Sequence, residues 1–319
     1  MILRIIAAIL IVAFFQGCGK SPENQTSETA TSGSFQLVAD EALRPVIDSL
    51  VKGFMIEYPQ ANVTVKYVSA GEAVRELLNK EKDAREIIID RGLTTLERGV
   101  LQRDSVTLPD FTMAEDGICC IVSNTNPMAA LALSDLRKIV MGETKTYSQL
   151  IRSIPESGKS FANGGPIMQV FSAYPSSVEY VLDSMFLGPD QTVQTKVARY
   201  ETVDSIIARV KQDANAIGFI SLSWKHWLET KGDSSVKVLP VIPADSSSKG
   251  ITQPIIPHMA YVYQKLYPLT TAVTGYSFET PNTLPRGFLV YAMTAHGQMV
   301  FKSFEVLPKT QIIKIVPPR

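Results

Sequence analysis

Residue types that most often perform chemistry are thinly spread in this chain. Its three histidines, His226, His258 and His296, stand far apart, and none falls in the H-E-x-x-H spacing that places two imidazoles and a carboxylate on one helix face. A zinc site is therefore poorly supported. Each histidine reads as structural, with His226 a packing or surface residue between Trp224 and Trp227. The chain has no G-x-S-x-G elbow and no G-x-x-x-x-G-K-[ST] loop. Cys119 and Cys120 are adjacent inside the apolar run Ile118 to Val122. Neighbours on a strand point to opposite faces, so the two thiols read as buried small hydrophobes, and there is no CxxC pair. The pattern gives little support to the common nucleophile and metal classes, so an enzyme is the least favoured class. No enzyme activity and no cofactor is expected.

Three segments carry the Ser/Thr-x-x-Glu capping box: Ser69 with Glu72, Thr94 with Glu97, and Ser176 with Glu179. A helix that starts this way exposes unpaired N–H groups and about half a unit of positive charge, which suits an oxyanion. Ser177 adds a second hydroxyl beside Ser176. One capping box only finishes its own helix, whereas several converging on one crevice favour anion binding. Arg91 falls at the end of the apolar strand Ile87 to Ile89. Its planar fork can take an oxyanion bidentately, or it can pair with a neighbouring carboxylate such as Glu97 or Asp90.

These groups need a scaffold that brings helix starts together. Three times in the first third a short β-rich run leads into a helix-period segment. Phe35 to Ala39 precedes Glu41–Glu57, with Pro45 early and Val46, Leu50 and Phe54 at helical spacing; Val63 to Val68 precedes Glu72–Asn79; Ile87 to Ile89 precedes Thr95–Leu101. Beyond Asp116-Gly117 the expected elements are a strand Gly117 to Val122, a helix Ser134–Val140, a strand Ile167 to Phe171, a helix Ser176–Phe186, a strand Val193–Ala198, a helix Thr202–Lys211 and a strand Ile217–Ile220. Asp245 to Gly250 reads as an exposed loop. Strands are expected near Met259–Tyr263 and Thr271–Phe278, and one helix from about Pro285 to Phe304. The alternation predicts an α/β chain with a largely parallel sheet, and in such a sheet ligands bind outside the carboxyl ends of the strands.

The N-terminus reads as an export signal: Arg4 is the lone positive charge, an apolar run extends from Ile5 to Phe15, and Gly17 precedes Cys18. An apolar run of about 11 residues is too short for a bilayer core, which needs roughly 20. Cys18 after Gly17 resembles the lipobox of bacterial lipoproteins, which implies cleavage after residue 17 and a lipid anchor on Cys18. Gly19 to Ser34 is rich in Ser, Thr, Gly and Glu and reads as a flexible tether, with the globular region opening at Phe35. The 31 basic and 31 acidic residues balance, without a basic run, so nucleic acid is not an expected partner.

A resemblance covers nearly the whole chain after the tether. Asp116-Gly117-Ile118, Val122-Ser123-Asn124-Thr125-Asn126-Pro127, Leu133-Ser134-Asp135-Leu136-Arg137-Lys138-Ile139 and Met141-Gly142 look like the "DGI…N..NP…L…L..I..G" passage of phosphate-binding lipoproteins of ABC transporters. Arg91 to Glu97, Asn215 to Phe219, Tyr267-Pro268-Leu269 and Gly297-Gln298 continue it in order. The resemblance implies a two-lobed type II periplasmic-binding-protein fold, each lobe a mostly parallel sheet flanked by helices, with two hinge crossings. Lobe 1 would be residues 35–115 plus 260–319, and lobe 2 residues 116–259. It also implies a monomer facing the periplasm or cell exterior that binds phosphate or a similar oxyanion between the lobes and delivers it to an ABC permease.

By position, the ligand-binding turns of that family would fall at Asp40, Glu41 and Ala42, at Ser69, Gly71 and Glu72, at Asp90-Arg91, and at Ser176 and Ser177. The first turn departs from the Ser, Thr and Gly usual there. A carboxylate facing an oxyanion at 4 Å costs about 4 kcal/mol at an effective dielectric of 20, unless a proton sits between them. Three readings stay open: Asp40 and Glu41 accept a hydrogen bond from a protonated oxyanion, they complement a helix dipole and point away, or the ligand is not phosphate. A surface scaffold that keeps the fold without the ligand is the alternative function.

Overall fold

The computed structural model describes residues 28–81, 84–150, 166–172, 176–188, 197–243 and 253–310. The export segment, Cys18, the tether as far as residue 27, the first part of the expected strand at 193–196 and the loop Asp245 to Gly250 lie outside the described residues.

The first half of the sheet grows from strand–helix pairs. Strand β1 (Gly33–Asp40) leads through a 3-10 turn (Glu41–Leu43) into helix α1 (Arg44–Glu57), which opens with Pro45 in its first turn and buries Val46, Leu50 and Phe54. Strand β2 (Ala61–Val68) alternates, with Val63 buried and Thr64 exposed, and leads into α2 (Ala70–Leu78). Strand β3 (Glu86–Ile89) is buried on both faces, as a central strand must be, and precedes α3 (Thr95–Arg103). Both β2 and β3 pair with β1 in parallel.

Strand β4 (Phe111–Ser123) is 13 residues long and links the two halves. Strand β5 (Leu131–Ala132) and helix α4 (Leu133–Val140) come next, followed by β6 (Met168–Ser172), α5 (Ser177–Phe186), β7 (Val197–Tyr200), α6 (Val203–Gln212), β8 (Ala216–Ser221) and α7 (Leu222–Thr230). Strands β9 (Val236–Leu239) and β10 (Val241–Ile242), helix α8 (Met259–Tyr263), strand β11 (Thr270–Ser277), helices α9 (Leu284–Met293) and α10 (Ala295–Ser303), and strand β12 (Leu307–Pro308) complete the described chain. The main sheet has the order β2-β1-β3-β11-β4-β8-β6-β7, with β9 and β12 alongside β4. The parallel expectation holds for the outer strands of each half, β1 with β2 and β3, and β6 with β7 and β8. Between them β11 and β4 run antiparallel, so the sheet is mixed.

The chain passes between the halves at two adjacent places. Residues of β4 up to Gly117 pair with β11, and from Ile118 onward they pair with β8 and β9. The return passage lies next to it, where the Ile118 N–H donates to the Leu269 carbonyl (2.9 Å). Gly117 fits closely there, since a Cβ would stand 3.1 Å from Leu222 Cδ1 and the leucine would have to shift by a few tenths of an ångström.

Several expectations are corrected. Met259–Tyr263, rich in aromatic and β-branched residues, is a short helix because His258 Nδ1 accepts from the Ala260 N–H (3.1 Å) and caps it. The expected single helix 285–304 is two helices, broken at Thr294, whose hydroxyl accepts from the Gly297 N–H and starts α10. Order begins before Phe35: Gly33 already pairs with Ala61, and Glu28 forms an ion pair with Arg85 (2.6 Å). Of the three expected capping boxes only Thr94/Glu97 is reciprocal; Ser69 and Ser176 accept the N–H of Glu72 and Glu179, but those carboxylates turn to Arg75 and Arg199. Helix α7 and strand β9 were not expected. Cys119 and Cys120 are buried and free. Among the described residues no helix is long and apolar enough to cross a membrane.

Candidate functional site

Parallel pairing places the carboxyl ends of β1, β2 and β3 in one row. Asp40 pairs with Val68, so Ser69 follows beside it, and Ala39 pairs with Ile88, which sets Asp90 and Arg91 on the other side of the same edge. In the other half the carboxyl ends of β6, β7 and β8 lead to the starts of α5, α6 and α7. Those helix starts meet the row from the first half.

Each of the three starts is met by a carboxylate. Asp40 Oδ2 accepts from the Ser177 hydroxyl at the first position of α5 and from the Asp90 N–H (3.3 Å), while Oδ1 accepts from the Ala42 N–H (3.1 Å). Glu41 Oε1 accepts from the Val203 N–H at the start of α6 (3.3 Å), and the Arg44 guanidinium closes on the same carboxylate. Asp116 Oδ1 accepts from the Leu222 N–H at the start of α7 (3.0 Å) and from the Gly117 N–H (2.6 Å). Helix α7 also holds the backbone of the first turn: the Ser221 hydroxyl donates to the Ala42 carbonyl (2.8 Å), and the Trp224 indole N–H to the Glu41 carbonyl (3.3 Å). The N-terminal dipole favours a negative charge at each of these points.

Asp40 and Glu41 therefore complement helix dipoles, but those of helices from the other half. Arg91 is 3% exposed, and its fork is committed to both oxygens of Glu97 (2.8 Å each) and to the Gly92 carbonyl (2.8 Å). Its guanidinium also lies over the Tyr180 ring of α5, 5.1 Å from the centroid. The ion-pair reading of Arg91 is what the geometry shows, although the pair is buried on the arginine side. Ser69 and Gly71 stand on the same sheet edge as Asp40, but the Ser69 hydroxyl caps its own helix and Glu72 is an outer, half-exposed partner of Arg75. Ser176 caps α5 and is 1% exposed, as is Ser177.

Most of the chain, residues 24–295, matches the model of the PBP superfamily domain. The chain belongs to the PBP superfamily. It is 24% identical over 131 residues to the phosphate-binding protein PstS 2 of Streptococcus pneumoniae serotype 4, a match spanning 41% of this chain and 42% of that relative. The matched stretch is thus less than half of the curated relative's length. Among solved structures, it is similar to a Clostridium perfringens protein assigned as a phosphate ABC transporter substrate-binding protein, with phosphate bound (18% identity, 86% of this chain and 99% of that chain, TM-score 0.68). It is also similar to an ABC-type phosphate transport receptor from Vibrio cholerae (17% identity, 86% and 100% of the two chains, TM-score 0.60). These likenesses establish the fold, a mixed curled sheet flanked by helices as in periplasmic binding proteins.

Within this superfamily fold the buried acids form a cluster that sequence reasoning only partly named. The sequence places Asp90 in a ligand-binding turn and offers it as a partner for Arg91, whereas Asp116 enters only as part of a motif. Burial raises Asp40, and the hydrogen bonds from Ser177, Ala42 and Asp90 together with the Arg91 charge oppose that rise. Burial and then the neighbouring Asp116 and Asp40 charges push Asp90 well up, against the Thr271 hydroxyl, which donates to its Oδ1 (2.6 Å). Burial pushes Asp116 up to about 7, opposed by the Gly117 and Leu222 N–H groups. Burial and the like charge of Asp116 thus both disfavour the ionised form of Asp90. The signal for both residues was their position at a strand end and a crossing point, where a buried carboxylate has helix starts to face.

A groove of about 440 Å³ opens beside this cluster, lined by Arg91, Tyr180, Thr271, Glu115 and Lys265 among others. Elsewhere His226, Glu229 and Glu305 bring possible ligand atoms within 4.8 Å of one another. The Lys225 ammonium already lies 2.9 Å from Glu229 and 2.8 Å from Glu305, so the positive charge that this cluster asks for is supplied by the chain itself.

Proposed function

We propose that this chain is an extracytoplasmic solute-binding lipoprotein that captures phosphate, or an oxyanion of similar shape, for an ABC importer. It would act as a monomer, held to the membrane through Cys18 and facing the periplasm or cell exterior. Its lobes are residues 35–115 with 260–319 and residues 116–259, with β1 extending lobe 1 back to Gly33. The observation that carries this reading is the meeting of the Ser177 hydroxyl, the Asp90 N–H and the Ala42 N–H at one buried point beside the α5 start, with donors drawn from both lobes. Such donors bind an oxyanion by preorganised hydrogen bonds and require no chemistry. Arg91, next to Asp40, contributes a fixed positive charge through space while its fork stays on Glu97. The names of the relatives support the same ligand class and the same kind of permease. Calorimetric titration of the exported domain with phosphate and with sulfate between pH 5 and 8 tests the reading; binding of either is expected, and no heat from either anion across the range would sink it.

A second reading is favoured by one specific observation. The donors at the α5 start are already satisfied by Asp40, which fits a surface scaffold that retains the fold without a ligand. Under that reading neither anion binds to the native protein or to any variant of the first turn.

A further inference from the structure

We infer that the Asp40 carboxylate is the resident anion of this site: an internal ligand that occupies the oxyanion donors, closes the two lobes on each other, and must be displaced before an external anion can enter. The inference deepens the proposed function and rests on the α5 start being the oxyanion site. Three features support it. The two Asp40 oxygens take N–H and O–H donors from three separate segments, the first turn, the end of β3 and the start of α5. A planar carboxylate with its two oxygens so placed presents to those donors what two oxygens of a tetrahedral anion would present. Second, Asp40 is 2% exposed and Ser177 is 1% exposed, so an arriving anion finds no unoccupied space at the donors while the carboxylate remains.

Third, the arrangement is repeated. Glu41 at α6 makes the equivalent contact across the same interface, and Asp116 of the crossing strand does so at α7 from within residues 116–259. Of the three, Asp40 is the one whose partner is a side-chain hydroxyl beside a backbone N–H from the first half, and it is the one with Arg91 beside it. Glu41 is neutralised by the Arg44 guanidinium of its own turn, and Asp116 accepts only backbone N–H groups of residues 116–259, so neither takes donors from both lobes without a local counter-charge. Asp40 is thus the carboxylate whose removal opens a place for an anion.

The test compares the native chain with Asp40→Ser, which keeps a capping hydroxyl for the first turn, and with the near-isosteric Asp40→Asn, which keeps the acceptor for the Ala42 N–H and guards against misfolding of the first variant. Sulfate and phosphate binding are measured by calorimetry at pH 7.5, and the radius of gyration of the ligand-free proteins by small-angle X-ray scattering. The expected result is at least tenfold tighter anion binding by Asp40→Ser, a smaller gain for Asp40→Asn, and a more open ligand-free form of both that closes again when anion is added. Equal or weaker binding by folded variants, with unchanged radius, overturns the inference while native binding leaves the proposed function standing. Opening of the variants without binding of either anion supports the internal clamp and rejects the transport reading instead. No opening and no binding rejects both.

Discussion

Asp40 and Ser177 lie 137 positions apart, and the Ser177 hydroxyl donates to Asp40 Oδ2 across the two halves of the sheet. The contact joins a strand end to a helix start, the two places where the chain leaves polar groups without partners of their own. It ties the ionisation of one buried carboxyl to whether the donors at α5 are taken.

The direction of the pH effect follows from that contact. Around Asp40, burial disfavours the charged form, while the Ser177 hydroxyl on the α5 side, the Ala42 and Asp90 N–H groups and the Arg91 charge favour it; the neighbouring Asp90 carboxyl is itself pushed up by burial, and Glu41 is balanced by Arg44 and faces Asp204. The net shift of Asp40 is upward. Protonation weakens Asp40 as an acceptor and releases its donors, so anion affinity should rise as pH falls. Sulfate is the proper probe because its own charge does not change over the range. Sulfate affinity of the native chain is expected to increase as pH falls, with a flatter profile for Asp40→Asn, both read by calorimetry. An affinity that falls or stays flat in the native chain would contradict the competition.

Arg91 gives a second prediction, on stability. Its side chain is 2% exposed and that of Glu97 is 18% exposed. Removing one member of a buried pair leaves the other uncompensated, at a cost of about 3 kcal/mol when the partner retains some water. Arg91→Ala should lower the urea-unfolding free energy by about that amount. Glu97→Ala should cost a similar amount because it also removes the capping box of α3. The double variant should fall short of the sum, since the pair is broken only once. Additive losses would show that Arg91 and Glu97 act independently.

Local signals made the strand–helix pairs of the first third legible. Val63 to Val68 alternates, Val46, Leu50 and Phe54 repeat at helical spacing, and Ser69, Thr94 and Ser176 announce helix starts. The same signals named the strand ends at Asp40, Ser69 and Asp90, which parallel pairing sets along one sheet edge. They were silent on direction: whether Asp40 and Glu41 face a ligand, their own helix or another helix depends on which distant segment packs against the turn, and that segment begins at Ser177 or Val203. Helix α7 was hidden for a related reason, since Trp224, His226 and Trp227 dominate its pattern although Ser221 accepts the Trp224 N–H as a cap (3.4 Å). The break at Thr294 lies between the apolar runs Phe288 to Met293 and Met299 to Phe301 and is held from within by Gln298.

Gln298 is fully buried, and its amide donates to the Met113 carbonyl (3.1 Å) and the Ala292 carbonyl (2.8 Å) while its oxygen accepts from the Thr310 N–H (2.9 Å). It thereby satisfies a carbonyl at the end of α9 and ties the helix pair to β4. Gln298→Met keeps the volume and removes all three bonds. The Ala292 carbonyl and the Thr310 N–H then lose this partner, while the Met113 carbonyl keeps the Lys309 N–H, so a loss of about 1–3 kcal/mol in unfolding free energy is expected. Gly297→Ala should also be disfavoured, because its Cβ would lie 2.4 Å from the Tyr291 carbonyl oxygen and 2.6 Å from Ala292 Cα. Thermal melts of both variants check this, and native-like stability of Gln298→Met would mean that water replaces the amide.

Glu86 offers the opposite case, a residue whose replacement should stabilise. It begins β3, is 0% exposed, and neither carboxyl oxygen has a hydrogen-bond partner among the described residues. Burial raises it well above the usual carboxylate range, opposed by the Arg286 and Arg85 charges and assisted by Glu279. A carboxyl raised in the folded state contributes stability that is fully present below its unfolded value, about 4.3, and is lost as pH rises toward the folded value. Methionine has similar length and no charge to bury, so Glu86→Met escapes that loss. The variant should exceed the native chain in unfolding free energy at pH 8 by about 1 kcal/mol or more, with the gap narrowing toward pH 5. Urea titrations at both pH values read the difference, and a variant less stable than the native chain at pH 8 would show that Glu86 is held by an interaction with Arg286 strong enough to offset its burial.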